Sequence, residues 1–220
     1  MLRFVHQAIR DIRTVGSIAP SSAALARAMT KGLRARLGSR RVLEVGAGTG
    51  AFTEAILSTL RPGDHFDVVE VNPSFASAVE RRLIAPYRAS QPSATVTMHA
   101  TAIELAALDG NYDFVVCGLP FNNFPPDVTQ SIFTKMIDLM RAGGELTYFE
   151  YVAVRALKKP FAGAGGRSRI HAHEAFLRST ARDHTVTGEL VLGNIPPAKA
   201  VRLVKRSLPH PPCSASTTTF

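Results

Sequence analysis

Cysteine is scarce in this chain of 220 residues: Cys117 lies within an apolar run and Cys213 near the C-terminus. Two thiols so placed make neither a disulfide framework nor a metal site, and they suggest a reducing, cytoplasmic setting. Long apolar runs are missing too. No stretch approaches the ~20 residues needed to span a bilayer. The N-terminus also lacks the charged start and extended apolar core of a secretory leader, so an integral membrane protein is not expected. Internal repeats are absent as well. What is present is 45% hydrophobic residues, enough in a chain of this length for one domain with a proper core and no second full domain.

Acidic residues are scarce at both ends. Residues 1–41 carry nine Lys/Arg against one acid, residues 42–154 six against thirteen, and residues 155–206 eleven against three, within an overall formal charge of +9. An acidic middle flanked by two basic segments favours a polyanionic partner, either a nucleic acid or an anionic membrane surface, over charge that only keeps the protein soluble.

Residues 2–15 place Phe4, Val5, Ala8, Ile9 and Ile12 at helical spacing, with Arg3, Arg10 and Arg13 elsewhere on the wheel. Such a basic amphipathic helix lies either in a lipid interface or against its own domain. Pro20, Ser21 and Ser22 open a second helix over 23–37, with Leu25, Met29, Leu33 and Leu37 on one stripe. From residue 41 apolar runs and helical segments alternate in the manner of a parallel, doubly wound α/β sheet. Strands are expected over 42–45, 66–71, 94–98, 113–117 and 145–151. Helices are expected over 52–60, 75–84 and 129–141, the last closed by Ala142-Gly143-Gly144, while 87–92 reads as loop. Residues 155–170 combine five Lys/Arg with several glycines and a proline, the composition of a mobile basic loop. A helix over 171–182 and two final strands over 185–192 and 200–205 complete the pattern, and the Pro- and Ser/Thr-rich tail reads as disordered. The resulting division is 1–40 as a helical lid or membrane-docking segment, 41–206 as the sheet domain and 207–220 as tail.

The stretch Arg41-Val42-Leu43-Glu44-Val45-Gly46-Ala47-Gly48-Thr49-Gly50-Ala51 organises the whole. It is a short buried strand, a glycine turn and a helix start. Glycine lets the backbone take positive φ and approach a ligand closely. Two acids sharpen the reading. Glu44 precedes the turn, and Glu70 ends the second strand, where a carboxylate can accept both hydroxyls of a ribose. The spacing is GxGxG with an acid before it, which sits badly beside a pyrophosphate and suits a ligand with a cationic end. The pattern E-x-G-x-G-x-G with a strand-end acid resembles the first two motifs of the class I S-adenosylmethionine-dependent methyltransferases. That resemblance implies a Rossmann-like seven-stranded sheet with helices on both faces, and S-adenosylmethionine as cofactor with no metal. It places Glu44, Gly46, Gly48 and Gly50 behind the methionine portion and Glu70 on the ribose. Thr101 stands where an acid usually contacts the adenine, and Gly118 begins the loop that closes the site.

Ligands of open α/β sheets bind beyond the carboxyl ends of the strands, so an acceptor should meet the cofactor at Gly118-Leu119-Pro120-Phe121-Asn122-Asn123. Loops of the N-P-P-Y type hold planar exocyclic amines; here Gly118 replaces the polar residue, which weakens base methylation. Ala19-Pro20-Ser21-Ser22, Gly118-Leu119-Pro120 and Asn194-Ile195-Pro196-Pro197-Ala198, with an aromatic fifth strand, resemble instead the bacterial soluble-type phospholipid N-methyltransferases. These are peripheral membrane enzymes acting on phosphatidylethanolamine, with relatives acting on ornithine lipids. The resemblance implies an anionic membrane surface and an aminolipid as partners rather than nucleic acid, and a peripheral position on the cytoplasmic side. It puts Phe121, Asn122 and Tyr148 at the acceptor, with Tyr151 or Phe149 facing the growing ammonium through cation–π contact. Ser21, Arg155, Lys158 and Lys159 fall to the lipid headgroup, and His171 and His173 are either proton relays or structural. The alternative is an enzyme like the rRNA adenine dimethyltransferases, against which stand Gly118 and the lack of a helical domain after the sheet. A non-catalytic cofactor-binding regulator would leave the aromatic loop unexplained.

Overall fold

The computed structural model describes residues 21–91, 93–121, 124–152, 175–176, 179–180 and 182–206. Its centre is β1 (Arg41–Val45) and β4 (Tyr112–Cys117), whose apolar runs are buried on both faces. To one side lie β2 (His65–Val69) and β3 (Thr95–His99), and to the other β5 (Met140–Tyr151), β7 (Ala198–Val204) and β6 (Thr185–Val191). The order is β3-β2-β1-β4-β5-β7-β6, with β7 antiparallel to both its neighbours and all other pairings parallel. Strand order reverses direction between β1 and β4, the point where open sheets of this kind leave a crevice. Register makes that crevice sharp, because Val45 pairs with both Val69 and Cys117 and the loops after β1, β2 and β4 emerge side by side.

Helices cover both faces. One core packs Val42, Phe66, Val68, Phe114 and Phe149 against α1 (Ala23–Met29), α2 (Lys31–Ala35), α3 (Ala51–Leu57) and α4 (Pro73–Val79). The other packs Leu43, Val115, Leu146 and Tyr148 against Val128, Ile132, Phe133 and Met136 of α6 (Pro126–Leu139). Residues 21–40, set apart in sequence from the sheet domain, put Leu25, Met29 and Leu33 into the first of these cores.

Four expectations are corrected. The helix over 23–37 breaks at Thr30, whose hydroxyl donates to Ala26 O at 2.8 Å, and it stops at Ala35, leaving Leu37 85% exposed. The chain is diverted there toward Arg40, a fully buried guanidinium that ion-pairs with Asp64 and donates to the carbonyls of Leu33 and Thr59. The expected loop 87–92 is largely helix: after a π-helical turn over Glu80–Ile84, α5 (Ala85–Ser90) continues. Gly143 and Gly144 do not end α6. The helix stops at Leu139, Met140 is already extended and pairs with Tyr112, and the glycines form a bulge before pairing resumes at Glu145 with Phe114. A Cβ on Gly144 would lie 2.8 Å from Tyr112 O, so the strand contact selects glycine there. The helix's terminal carbonyls are met from afar, by Lys205 Nζ donating to Ile137 O and Met140 O at 2.7 Å each. Finally, β7 begins two residues earlier than expected. Residues 2–15, the basic loop over 155–170 and the tail lie outside the described residues, and the helix over 171–182 is described only at 175–176, 179–180 and 182, all helical. No helix among the described residues is long and apolar enough to cross a membrane.

Candidate functional site

The turn after β1 runs through Gly46, Gly48 and Gly50 at φ values of 81°, 54° and 91°, a region where side chains are strained. Backbone bonds tie it to the neighbouring strands: Gly46 N–H donates to Val69 O, and Gly118 N–H, just past β4, to Val45 O, both at 2.8 Å. Contact between the two loops is backbone on backbone, for a Cβ on Gly118 would fall 2.3 Å from Gly46 O. Gly48 differs. A Cβ there would meet nothing within 4 Å, so this side of the turn is open.

Two carboxylates serve the turn from opposite directions. Glu70 is buried at the end of β2, its Oε2 accepting from Gly48 N–H and its Oε1 from Asn72 N–H at 2.8 Å each. Asn72 in turn caps α4 by accepting from Ser74 and Phe75. Glu44 is wholly buried in β1; its Oε2 accepts the Thr53 hydroxyl of α3 at 2.7 Å, while Oε1 has no hydrogen-bond partner. Burial pushes its carboxyl up to about 8 against the opposing bond from Thr53, and the nearby Glu70 charge adds to the rise. The unpartnered Oε1 leaves this buried acid with spare hydrogen-bonding capacity next to the glycine turn. Thr101 lies in a tight turn after β3, its N–H donating to His99 O at 2.9 Å. It is half-buried and adjoins the same end of the sheet.

Aromatic rings cluster in the core between β5 and α6. Phe121 lies 6.3 Å from Tyr148, 5.7 Å from Phe133 and 6.3 Å from Phe124, centroid to centroid, and Tyr148 stands edge-on to Phe133 at 5.2 Å. Phe176 closes on Phe133 at 5.6 Å. Tyr151 and Phe149 belong to the other face of β5, where they pair at 5.2 Å and Phe149 reaches Phe52 at 6.0 Å. The four aromatics taken together in sequence are thus split, Phe121 with Tyr148 and Phe149 with Tyr151. Phe124 and Phe133 were missed because their spacing along α6 and its approach is that of core residues. Burial raises the Tyr151 hydroxyl above its usual range, and it pushes the Cys117 thiol up to about 12, which makes that thiol inert.

Ser21 is half-buried at the start of α1. Its neighbour Ser22 caps that helix with its side chain, and Ser22 N–H donates to Asn194 Oδ1 at 2.9 Å. Ser22 and Asn194, which belong to two motifs far apart in the chain, therefore meet. Asn122, Arg155, Lys158, Lys159, His171 and His173 lie outside the described residues. Among the described residues no group of three or more His, Cys, Asp or Glu side chains is arranged to hold a metal ion.

A methyltransferase domain matches residues 42–144 of the chain, from β1 to the bulge in β5. The chain is 27% identical over 161 residues to an ornithine lipid N-methyltransferase from Singulisphaera acidiphila, a match covering 72% of this chain and 83% of that protein. Solved structures agree in fold. One is an O-methyltransferase of tomaymycin synthesis from Streptomyces achromogenes in complex with SAM, at TM-score 0.60 and 21% identity, covering 90% of this chain and 86% of that one. Another is an O-methyltransferase from Bacillus cereus in complex with SAH, at TM-score 0.61 and 13% identity, covering 93% and 91%.

Proposed function

We propose that the chain is a class I methyltransferase that takes its methyl group from S-adenosylmethionine, and that the acceptor is the headgroup amine of a membrane aminolipid, an ornithine lipid or phosphatidylethanolamine. The observation that carries this reading is the similarity to an ornithine lipid N-methyltransferase across 83% of that protein's length. The charge division supports it. Basic stretches flank an acidic middle, and each Lys or Arg near an anionic leaflet contributes about 1 kcal/mol of attraction.

The glycine turn fits the cofactor. Glu44 Oε1 is an orphaned buried acceptor, Gly48 leaves room beside the turn, and Glu70 lies at the strand end within hydrogen-bond reach of it. Glu44, Gly46, Gly48, Gly50, Glu70, Thr101 and Gly118 are the residues that would hold it. When bound, S-adenosylmethionine supplies an electrophilic methyl group on a sulfonium, and transfer is an in-line displacement that needs alignment more than covalent help. In this reading Phe121 and Tyr148 exclude water and flank the acceptor nitrogen, with Asn122 beside them. Arg155, Lys158, Lys159 and Ser21 hold the lipid's phosphate or carboxylate. Base methylation is disfavoured sterically, since any side chain at position 118 would strike Gly46 O.

Incubation with radiolabelled S-adenosylmethionine and either aminolipid vesicles or unmodified ribosomal RNA tests the reading. Label in the lipid amine is the expected result. Label confined to RNA refutes it, and label in neither points to a cofactor-binding regulator.

A further inference from the structure

The sheet end that carries the glycine turn also carries an apolar projection. Tyr151, the last residue of β5, pairs with Ala198 at the start of β7, and Ala198 pairs with Val191 at the end of β6. Residues 192–197 therefore form a hairpin tip beyond the carboxyl end of β5, three strand spacings from β1, or about 14 Å. On this tip Leu192 is 71% exposed and Ile195 82% exposed, with Leu190 on β6 at 57%. Exposed apolar side chains are ordinary when scattered, but two on one six-residue tip, beside a ligand site, mark a surface with a partner.

The tip is held firmly. Asn194 is buried between the two exposed residues, its Oδ1 accepting from Ser22 N–H and its Nδ2 donating to Pro196 O at 2.8 Å. Val152 N–H donates to Pro197 O at 3.0 Å. Leu192 and Ile195 are thus presented by a braced loop. Both basic stretches of the chain also join the described body here. Residues 1–20 precede Ser21 and Ser22, of which Ser22 bonds to the tip, and Arg155, Lys158 and Lys159 follow within eight residues of Tyr151 in sequence. Exposed apolar points on a chain whose basic stretches adjoin, in sequence, the residues bonded to this tip match the interfacial layer of an anionic bilayer, where apolar groups enter the acyl boundary and cations stay among the headgroups.

We propose that the 192–197 hairpin is a membrane-inserting finger, with Leu192 and Ile195 entering an anionic bilayer so that the crevice between β1 and β4 opens onto the headgroups. The proposal rests on the aminolipid reading for its purpose, and its test separates the two. The probe is vesicles of phosphatidylethanolamine and phosphatidylglycerol, with the full chain and its L192D/I195D variant, neither residue belonging to the catalytic or cofactor-holding set. Each exposed side chain that leaves water on insertion is equivalent to about a tenfold gain in partitioning. The variant should therefore sediment with these vesicles about 100-fold more weakly, while its melting temperature and cofactor affinity match wild type. On a monomeric short-chain phosphatidylethanolamine its kcat/KM should also be unchanged.

Undiminished vesicle binding by the variant overturns the finger while leaving any aminolipid activity standing. Loss of vesicle binding in a protein that methylates no aminolipid upholds the finger and sinks the substrate reading. A melting temperature lowered by several degrees means that the two side chains pack on another part of the chain, and a dimer that dissociates in the variant means that they pack on a second copy. Either result overturns the proposal.

Discussion

Measuring cofactor affinity from pH 6 to pH 9.5 puts Glu44 to a direct test. Its carboxyl is wholly buried, its Oε1 has no partner, and desolvation raises it to about 8, so at neutral pH it is mostly protonated in the free protein. A sulfonium cation nearby favours the ionised form, and binding must then expel the proton. If the complex keeps Glu44 ionised throughout, each pH unit below 8 weakens binding about tenfold. Affinity at pH 7 is then about 10-fold, and at pH 6 about 100-fold, below its plateau above pH 9. Titration calorimetry in buffers of different ionisation enthalpy should register close to one proton released at pH 7. S-adenosylhomocysteine carries the same α-amino group but no sulfonium charge, so the difference between the two profiles isolates the carboxylate. Glu44→Gln retains a carbonyl to accept the Thr53 hydroxyl and removes the titration; its profile for the two ligands should converge. Stability gives a second readout with its own sign. A carboxyl raised in the folded state costs stability as pH climbs from its ordinary 4.5 to about 8, at about 1.4 kcal/mol per pH unit and of the order of 5 kcal/mol in total, with no further loss above that. The Gln variant escapes this loss and gains on wild type across the same window. Identical pH profiles of affinity for wild type and variant would refute the assignment of Glu44 to the cofactor.

Gly118→Asn places a Cβ where Gly46 O lies 2.3 Å away, so either the loop or the turn must move. Cofactor affinity should fall at least about 30-fold by calorimetry, with about 2 kcal/mol lost in urea unfolding, and wild-type affinity in this variant would show that the backbone contact is not needed. Asp64→Asn leaves the buried Arg40 guanidinium without its counter-charge and should cost about 3–5 kcal/mol. Although burial opposes it, hydrogen bonds from Arg40 and from the Arg61 and Arg40 amides hold the Asp64 carboxyl below its ordinary range. The pair's contribution is therefore present above the unfolded carboxylate value and is lost as pH falls from there through the depressed folded value, and the variant should show a shallower acid limb when stability is followed from pH 6 to pH 2.5.

The glycine turn and its two acids were legible because their chemistry is local: a strand, a run of glycines and a strand-end carboxylate within thirty residues. The seven strands were legible from apolar runs, and the final hairpin from its turn residues. What escaped depends on partners distant in sequence. Thr30 has ordinary helical neighbours, and nothing nearby reveals that the chain must turn to deliver Arg40 to Asp64. Gly143-Gly144 has the form of a helix terminator, yet its role is set by Tyr112 across the sheet. The aromatic split is different, for it follows from parity alone. Residue 148 and residues 149 and 151 stand on opposite faces of any regular strand, and grouping Tyr148 with Tyr151 overlooked that rule. The meeting of Ser22 with Asn194 joins positions 172 residues apart and had no local signal.

The placement of β7 between β5 and β6 has a consequence for how the protein is made. Seven positions of β5, Glu145 to Tyr151, find their second neighbour only in residues 198–204. The residue just after them, Lys205, reaches the C-terminal end of α6. During synthesis the ribosome must add about 50 more residues after Tyr151 before that edge is covered, on the order of 3–10 s at ordinary rates of translation. Through that interval an aromatic strand with an open row of amides and carbonyls is available to any passing chain. A nascent polypeptide arrested before residue 198 is accordingly the form of this protein most in need of a chaperone.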